Sequence, residues 1–233
     1  MMKFKPIEAP SATELLVTQI KNAIITGQLK PGDKLPHERE LAHQMNVSRS
    51  VINSGLNRLQ QLHFIHIRPR QGAFVADYHS EGNLETLNQV VDFDGGYYQT
   101  SLLQSIYEFR LVTEENIVTL AAQRQDKPSL KLAKQALDQF KQAVNVQKWS
   151  AATFNFFHAL ALASQNQVYP LIINSFRPMY LKLAEWNSKD GGNSEIIQRN
   201  QDLLEAISQG NVKLAVDLDH ALIEWSFRDL MRA

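Results

Sequence analysis

The segment HFIHIRPRQGAFVADY, residues 63–78, carries the clearest strand signal in the chain. Phe64, Ile65 and Ile67 are strand formers, RPRQG is a glycine-containing turn, and Ala73-Phe74-Val75-Ala76 is a returning apolar arm. Two short arms around such a turn predict a β-hairpin. No strand-like alternation follows Ala76. The expected fold class is therefore mainly α, with one small hairpin.

Three helices are expected before the hairpin. Between Ser11 and Gly27, Leu15, Leu16, Ile20, Ala23, Ile24 and Ile25 recur near a 3.6 period, and the two flanking residues suit a start and a stop. LKPGDKLP, residues 29–36, reads as a turn-rich link, and ERELAHQM as a second helix. Asn46 breaks the pattern, and Ser48 can cap a third helix, SRSVINSGLNRLQQL, with Leu56 and Leu59 toward the core. Helix, short break, helix is the pattern of a helix-turn-helix. DYHSEGN is polar and aperiodic, which places a domain boundary there: residues 1–78, then 79–233.

The second part reads as wholly helical. One long helix puts Leu102, Ile106, Phe109, Ile117 and Leu120 on a face, and the next carries Leu132, Leu137, Phe140 and Val144. Further helical stretches are separated by SQNQ, SKDGGN and QGN. Six or seven helices with short links predict an antiparallel bundle.

Composition narrows the function. A chain of 233 residues, 44% hydrophobic, can bury a sizeable core in one or two domains. With no cysteine it has no disulfide framework, cysteine metal site or thiol nucleophile, which fits a reducing cytoplasm. The opening MMKFKPIEAP lacks an apolar run, so no signal peptide is expected, and no apolar stretch is long enough for a membrane span. Residues 1–78 hold 10 Lys and Arg against 6 Asp and Glu, while the rest of the chain is acidic by the same margin. A basic module on an acidic partner suits a polyanion, although such an excess also arises incidentally.

The helix-turn-helix and hairpin have coherent chemistry for DNA. A recognition helix enters the major groove with its N-terminal residues near base edges. Here those residues are Ser48, Arg49, Ser50 and Asn53. Arg49 can bond guanine bidentately, and Asn53 suits adenine or a phosphate oxygen. Ser48 can equally serve only as a cap. Arg39, at the start of the second helix, gains nothing there from the helix dipole, which favours a phosphate or base partner. The hairpin turn offers Arg68, Arg70 and Gln71 beside Gly72 for phosphates or a minor groove, or else is a solvated turn.

These residues carry a resemblance. GQLKPGDKLPHERELAHQMNVSRSVINSGLNRLQQLHFIHIRPRQGAFVA resembles the winged helix-turn-helix of the GntR family of bacterial transcription regulators. The resemblance implies that Arg39, Arg49 and the wing around Gly72 contact operator DNA. Two departures stand out. His37 replaces the usual serine, and Asn53-Ser54-Gly55 replaces the usual arginine and Glu-Ala. One DNA-contacting arginine is thus missing, and Gly55 is expected to weaken the helix by up to about 1 kcal/mol relative to alanine.

The helical part resembles the effector domain of the FadR subfamily, through FHALALASQN at 157–166, LLEAISQGN at 203–211 and the helix bearing Arg110. Members of that subfamily bind small carboxylates, often through a metal, or long-chain acyl-CoA. The metal-binding pattern maps onto Phe154, His158, Asn200 and Leu222, with His220 off the required position. One ligand of four does not make a metal site, since such a centre needs at least three. The expectation is therefore no metal, with His158 as a pocket or core residue. VYPLIINSFRPMYLKLAEW resembles a helix of the acyl-CoA-responsive regulator, including Tyr180, and Arg110 matches an arginine near its effector. The candidate effector residues are Arg110, Phe154, His158, Tyr180 and Asn200. Arg110 could face an anionic ligand or pair internally with Glu114, and Phe154, Phe157, Phe176 and Met179 could line a cavity or simply fill the core.

No nucleophile elbow, phosphate loop, dinucleotide fingerprint or HExxH motif is present, which argues against an enzyme. The expected function is a homodimeric, cytoplasmic regulator that binds double-stranded operator DNA and senses an organic acid or acyl-CoA. The alternative is a second domain that only dimerises.

Overall fold

The structure, a computed structural model, describes residues 10–93, 100–187 and 194–228. It divides into two compact units, Met1–Gly95 and Gly96–Ala233.

In the first unit, α1 (Ala12–Ile25), α2 (Glu38–Gln44) and α3 (Arg49–Gln61) precede the antiparallel strands β1 (Ile65–Arg68) and β2 (Gly72–Val75). Ser11 closes a capping box with Glu14 at the head of α1. Asn46, at φ 52°, takes the left-handed turn between α2 and α3. Asparagine tolerates that conformation better than most residues. α1 lies against α3, and their apolar faces bury Leu16, Ile20 and Ile24 with Ile52, Leu56 and Leu59. Leu15, expected on that face, is instead exposed.

The link at 29–36 is more than a turn. Leu35 N–H donates to the Ala73 carbonyl and Val75 N–H to the Asp33 carbonyl, so the segment pairs with the outer edge of β2.

The unit also runs beyond residue 78, where its end was expected. Asp77 caps the short turn α4 (Tyr78–Glu81), and Asn83 caps α5 (Leu84–Val91). α5 is tied back by the Thr86 hydroxyl, which donates to the Leu62 carbonyl, by the Arg58–Glu85 pair and by Lys21 donating to Gln89. A boundary drawn from polarity alone missed a helix that contributes Thr86, Val90 and Val91 to the core.

Among the described residues the second unit is all helical: α6 (Thr100–Arg124), α7 (Lys127–Lys141), α8 (Val146–Ala163), α9 (Tyr169–Ser175), α10 (Arg177–Asn187), α11 (Ser194–Ser208) and α12 (Val212–Arg228). α8 is central, lying against α6, α7, α9 and α10. It buries Phe154, Phe156, Phe157 and Leu160. Ile106 and Ile117 of α6 are buried as their spacing predicts, whereas Leu132 and Val144 are exposed. Val144 falls after the end of α7, so it has no helical face to share. No helix among the described residues is long and apolar enough to cross a membrane.

Candidate functional site

The first unit carries a groove of about 520 Å³ between the starts of α2 and α3 and the hairpin turn. Arg39, Arg49, Arg68 and Arg70 all line it, together with His37, Glu38 and Gly72. Guanidinium groups are well matched to phosphate oxygens and guanine edges, and four of them share this concave face. The fold brings them together because Arg39 and Arg49 lie in the first turns of successive helices, Arg68 ends β1 and Arg70 lies in the turn before β2. Arg70 (φ 61°) and Gly72 (φ 112°) are both left-handed, and the second value calls for glycine. The Arg68 guanidinium lies 4.8 Å from the Phe74 ring centroid, a cation–π contact that restricts how it projects.

The other expected DNA residues divide by role. The Ser48 hydroxyl accepts from the Val51 N–H, so it caps α3, and it shares a 2.8 Å hydrogen bond with the Ser50 hydroxyl. Both serines are exposed. Gln71 is exposed on the wing turn but outside the lining of the groove. Asn53 faces Glu38, a partner that the sequence pattern around ERELA does not reveal. His37 stands at the capping position just before α2 and makes no side-chain cap.

The second unit holds a buried polar cluster. Arg110 on α6 donates through Nε to Glu114 Oε1 at 2.6 Å and through Nη2 to Oε2 at 3.0 Å. Tyr180 on α10 donates to the same Oε1 at 2.7 Å. Ser226 on α12 lies 3.5 Å from Arg110 Nη1. Burial works against the charge of Arg110, but the Glu114 carboxylate outweighs it and holds the guanidinium pKa above its ordinary value. Burial, reinforced by Glu114, raises the Tyr180 hydroxyl.

Asp219 completes the cluster. It is fully buried, neither carboxyl oxygen has a hydrogen-bond partner, and burial together with the Glu114 charge pushes its pKa well up. Sequence reasoning did not find it. The signal was present: Asp219 interrupts the buried stripe Ala215, Leu222 and Ser226 at helical spacing.

Beside the cluster is a small cavity, about 30 Å³, room for one or two waters. Arg110, Tyr180 and Asn200 line it, with Trp149, Phe157, Leu183, Ile196 and Leu222. Asn200 donates its amide nitrogen to the Ile196 carbonyl, and its buried Oδ1 has no partner. Phe154 and His158, expected in the same pocket, do not line it. Phe154 is buried in the core, with His158 stacked on it at 5.7 Å. Phe176 and Met179 are likewise core residues rather than lining. Burial, aided by Arg177, lowers the His158 pKa.

The four positions of the metal pattern do not fit a metal. Phe154 and Leu222 have no donor atom, which leaves His158 and the Asn200 Oδ1, two ligands where such a centre needs at least three. His220 pairs with Glu115, 3.1 Å away, on a more exposed face.

Comparison with known proteins agrees with this layout. The family described as bacterial regulatory proteins, gntR family, matches residues 12–75, and the FCD domain family matches residues 105–224. An uncharacterized HTH-type transcriptional regulator of Mycobacterium tuberculosis is 30% identical over 169 residues, covering 72% of this chain and 68% of that protein. The fatty acid metabolism regulator protein of Pasteurella multocida is 27% identical over 207 residues, covering 87% and 83%. The solved structure of Lar from Listeria monocytogenes shares the fold with a TM-score of 0.62 at 15% identity, over 97% of this chain and 99% of that one. The families and relatives matched are transcription regulators and not enzymes. The chain belongs to the gntR family of DNA-binding bacterial transcription regulators, in its FadR-like branch with an FCD effector-binding domain.

Proposed function

We propose that the protein acts in the cytoplasm as a homodimer on a two-fold operator, and that an acyl-CoA-like metabolite governs its grip on DNA. Arg39, Arg49 and the wing arginines hold and read each half-site. The helical unit takes the acyl chain at the Arg110 cavity without a metal.

The observation that carries the ligand assignment is the lining of that cavity. It is chiefly apolar and ends on Arg110, Tyr180 and Asn200. An acyl chain matches the apolar walls, and the polar end suits a carbonyl or carboxylate. The similarity to the Pasteurella multocida fatty acid metabolism regulator supports the same choice. A small organic acid would use only the polar end.

At about 30 Å³ the cavity is far below the roughly 300 Å³ of an ordinary ligand site. A ligand must therefore open the bundle, and a ligand that binds only the opened arrangement shifts the population by that difference in affinity. The same small volume also fits a helical unit that only dimerises. Native mass spectrometry of the freshly purified chain separates the two. A co-purifying acyl species, or a thermal shift on adding acyl-CoA but not CoA alone, supports sensing. A ligand-free dimer unmoved by acyl-CoAs and organic acids supports the scaffold.

A further inference from the structure

Asn53 stands on α3 four residues after Arg49, so the two share a helix face. Its side chain is exposed, but it is not free. Glu38, at the first position of α2, offers only acceptors, so the Asn53 amide meets it nitrogen first. The nitrogen donates to Oε2 at 2.9 Å and to Oε1 at 3.1 Å. Glu38 lines the arginine groove beside Arg39 and Arg49, so the pair sits on the surface assigned to DNA.

The geometry points to Glu38 as a positioning residue that fixes the Asn53 amide so that it reads DNA chiefly as an acceptor. At one base pair of each half-site it selects a base that presents an exocyclic amino group in the major groove, adenine or cytosine. A free asparagine recognises adenine with both ends of its amide, accepting from N6 and donating to N7. With its nitrogen turned to Glu38, Asn53 is fixed with the carbonyl Oδ1 as the end left unengaged. The N7 contact is weakened because the nitrogen is shared with Glu38, and with it the distinction between adenine N6 and cytosine N4, which are both donors. Guanine O6 and thymine O4 are acceptors, and they would face an acceptor. The same constraint disfavours phosphate contact, since a phosphate oxygen needs a donor and the nitrogen is turned to Glu38. This inference rests on α3 facing the major groove.

The test is selection from a double-stranded DNA pool randomised over two helical turns, using the full chain and three variants. The wild type is expected to enrich a motif in which one pair per half-site accepts adenine or cytosine over guanine or thymine, about fivefold or more. Asn53→Ala and Glu38→Gln should both relax that same pair and leave the rest of the motif unchanged. The amide introduced by Glu38→Gln can donate to Asn53 Oδ1 and turn the Asn53 amide round, so the profile of that variant should admit guanine and thymine. Thermal melting of each variant near that of the wild type excludes misfolding as the cause. Two results overturn the inference: Glu38→Gln leaves the profile unchanged while Asn53→Ala alters it, or Asn53→Ala alters nothing. Arg49→Ala separates this from the wider reading. If Arg49→Ala changes the motif and neither of the others does, α3 faces DNA and this inference fails alone. If none of the three changes it, both fail.

Discussion

Tyr180 donates its hydroxyl to Glu114 at 2.7 Å, on the same carboxylate oxygen that Arg110 Nε holds at 2.6 Å. α6 and α10 are thereby joined through one buried atom. The arginine charge is already matched within the protein, so an incoming anion would have to compete with Glu114. Competition of that kind couples occupation of the cavity to the packing of α6, α10 and α12.

Removing Glu114 should be costly. Glu114→Ala leaves the guanidinium of Arg110 buried and unpaired, which typically destabilises by about 3–5 kcal/mol. Denaturant unfolding measures it. A loss below about 1 kcal/mol would show that Arg110 finds another partner or water.

Asp219 gives a pH signature. Its pKa is raised in the folded chain, so the folded state holds that proton more tightly than the unfolded state. Stability is then unpenalised below the ordinary aspartate value near 3.8 and falls as pH rises above it. Asp219→Asn should stabilise the protein at neutral pH, and the gain should shrink to nothing as pH is lowered toward that value. A gain independent of pH, or one that grows on acidification, contradicts this.

Gly55 was expected to weaken α3, but the structure gives it a task. A Cβ there would lie inside the side chain of Leu16, which is buried between α1 and α3. Overpacking typically costs about 1–3 kcal/mol, whereas alanine's advantage as a helix former is at most about 1 kcal/mol. Gly55→Ala should therefore lower stability by about 1–2 kcal/mol. A rise in melting temperature would show that Leu16 moves aside freely.

That glycine illustrates what could be read in advance. Helix periods, the caps Ser11 and Ser48 and the hairpin were legible because they depend on local spacing and turn chemistry. Arg39, Arg49, Arg68 and Arg70 could be named singly, and the fold then gathered them on one groove. Contacts between distant segments were not legible. Leu16 against Gly55, Leu35 on β2, Glu38 beneath Asn53 and Asp219 near Arg110 each join elements whose separation in the sequence gives no sign of the contact. Phe154 and His158 were expected in the pocket, yet of the apolar side chains expected along its wall only Phe157 of α8 faces the cavity.

Reading and gripping should separate among the arginines. Arg49→Ala should cost about 1–3 kcal/mol and relax one base preference. Arg68→Ala should weaken binding about equally on all sequences and reduce the salt dependence by about one phosphate contact. Fluorescence anisotropy across a salt series, on matched and mutated operators, distinguishes the two. Equal effects on all sequences from Arg49→Ala would remove it from the base-reading set.

Occupation of the Arg110 cavity is expected to change the grip on DNA. The direct measurement is the operator affinity of the full chain, at fixed salt, with long-chain acyl-CoA and with CoA alone. The expected result is a change of about fivefold or more with acyl-CoA, within the usual range of allosteric coupling, and none with CoA. Operator binding unaltered by acyl-CoAs of every chain length and by small organic acids would contradict it.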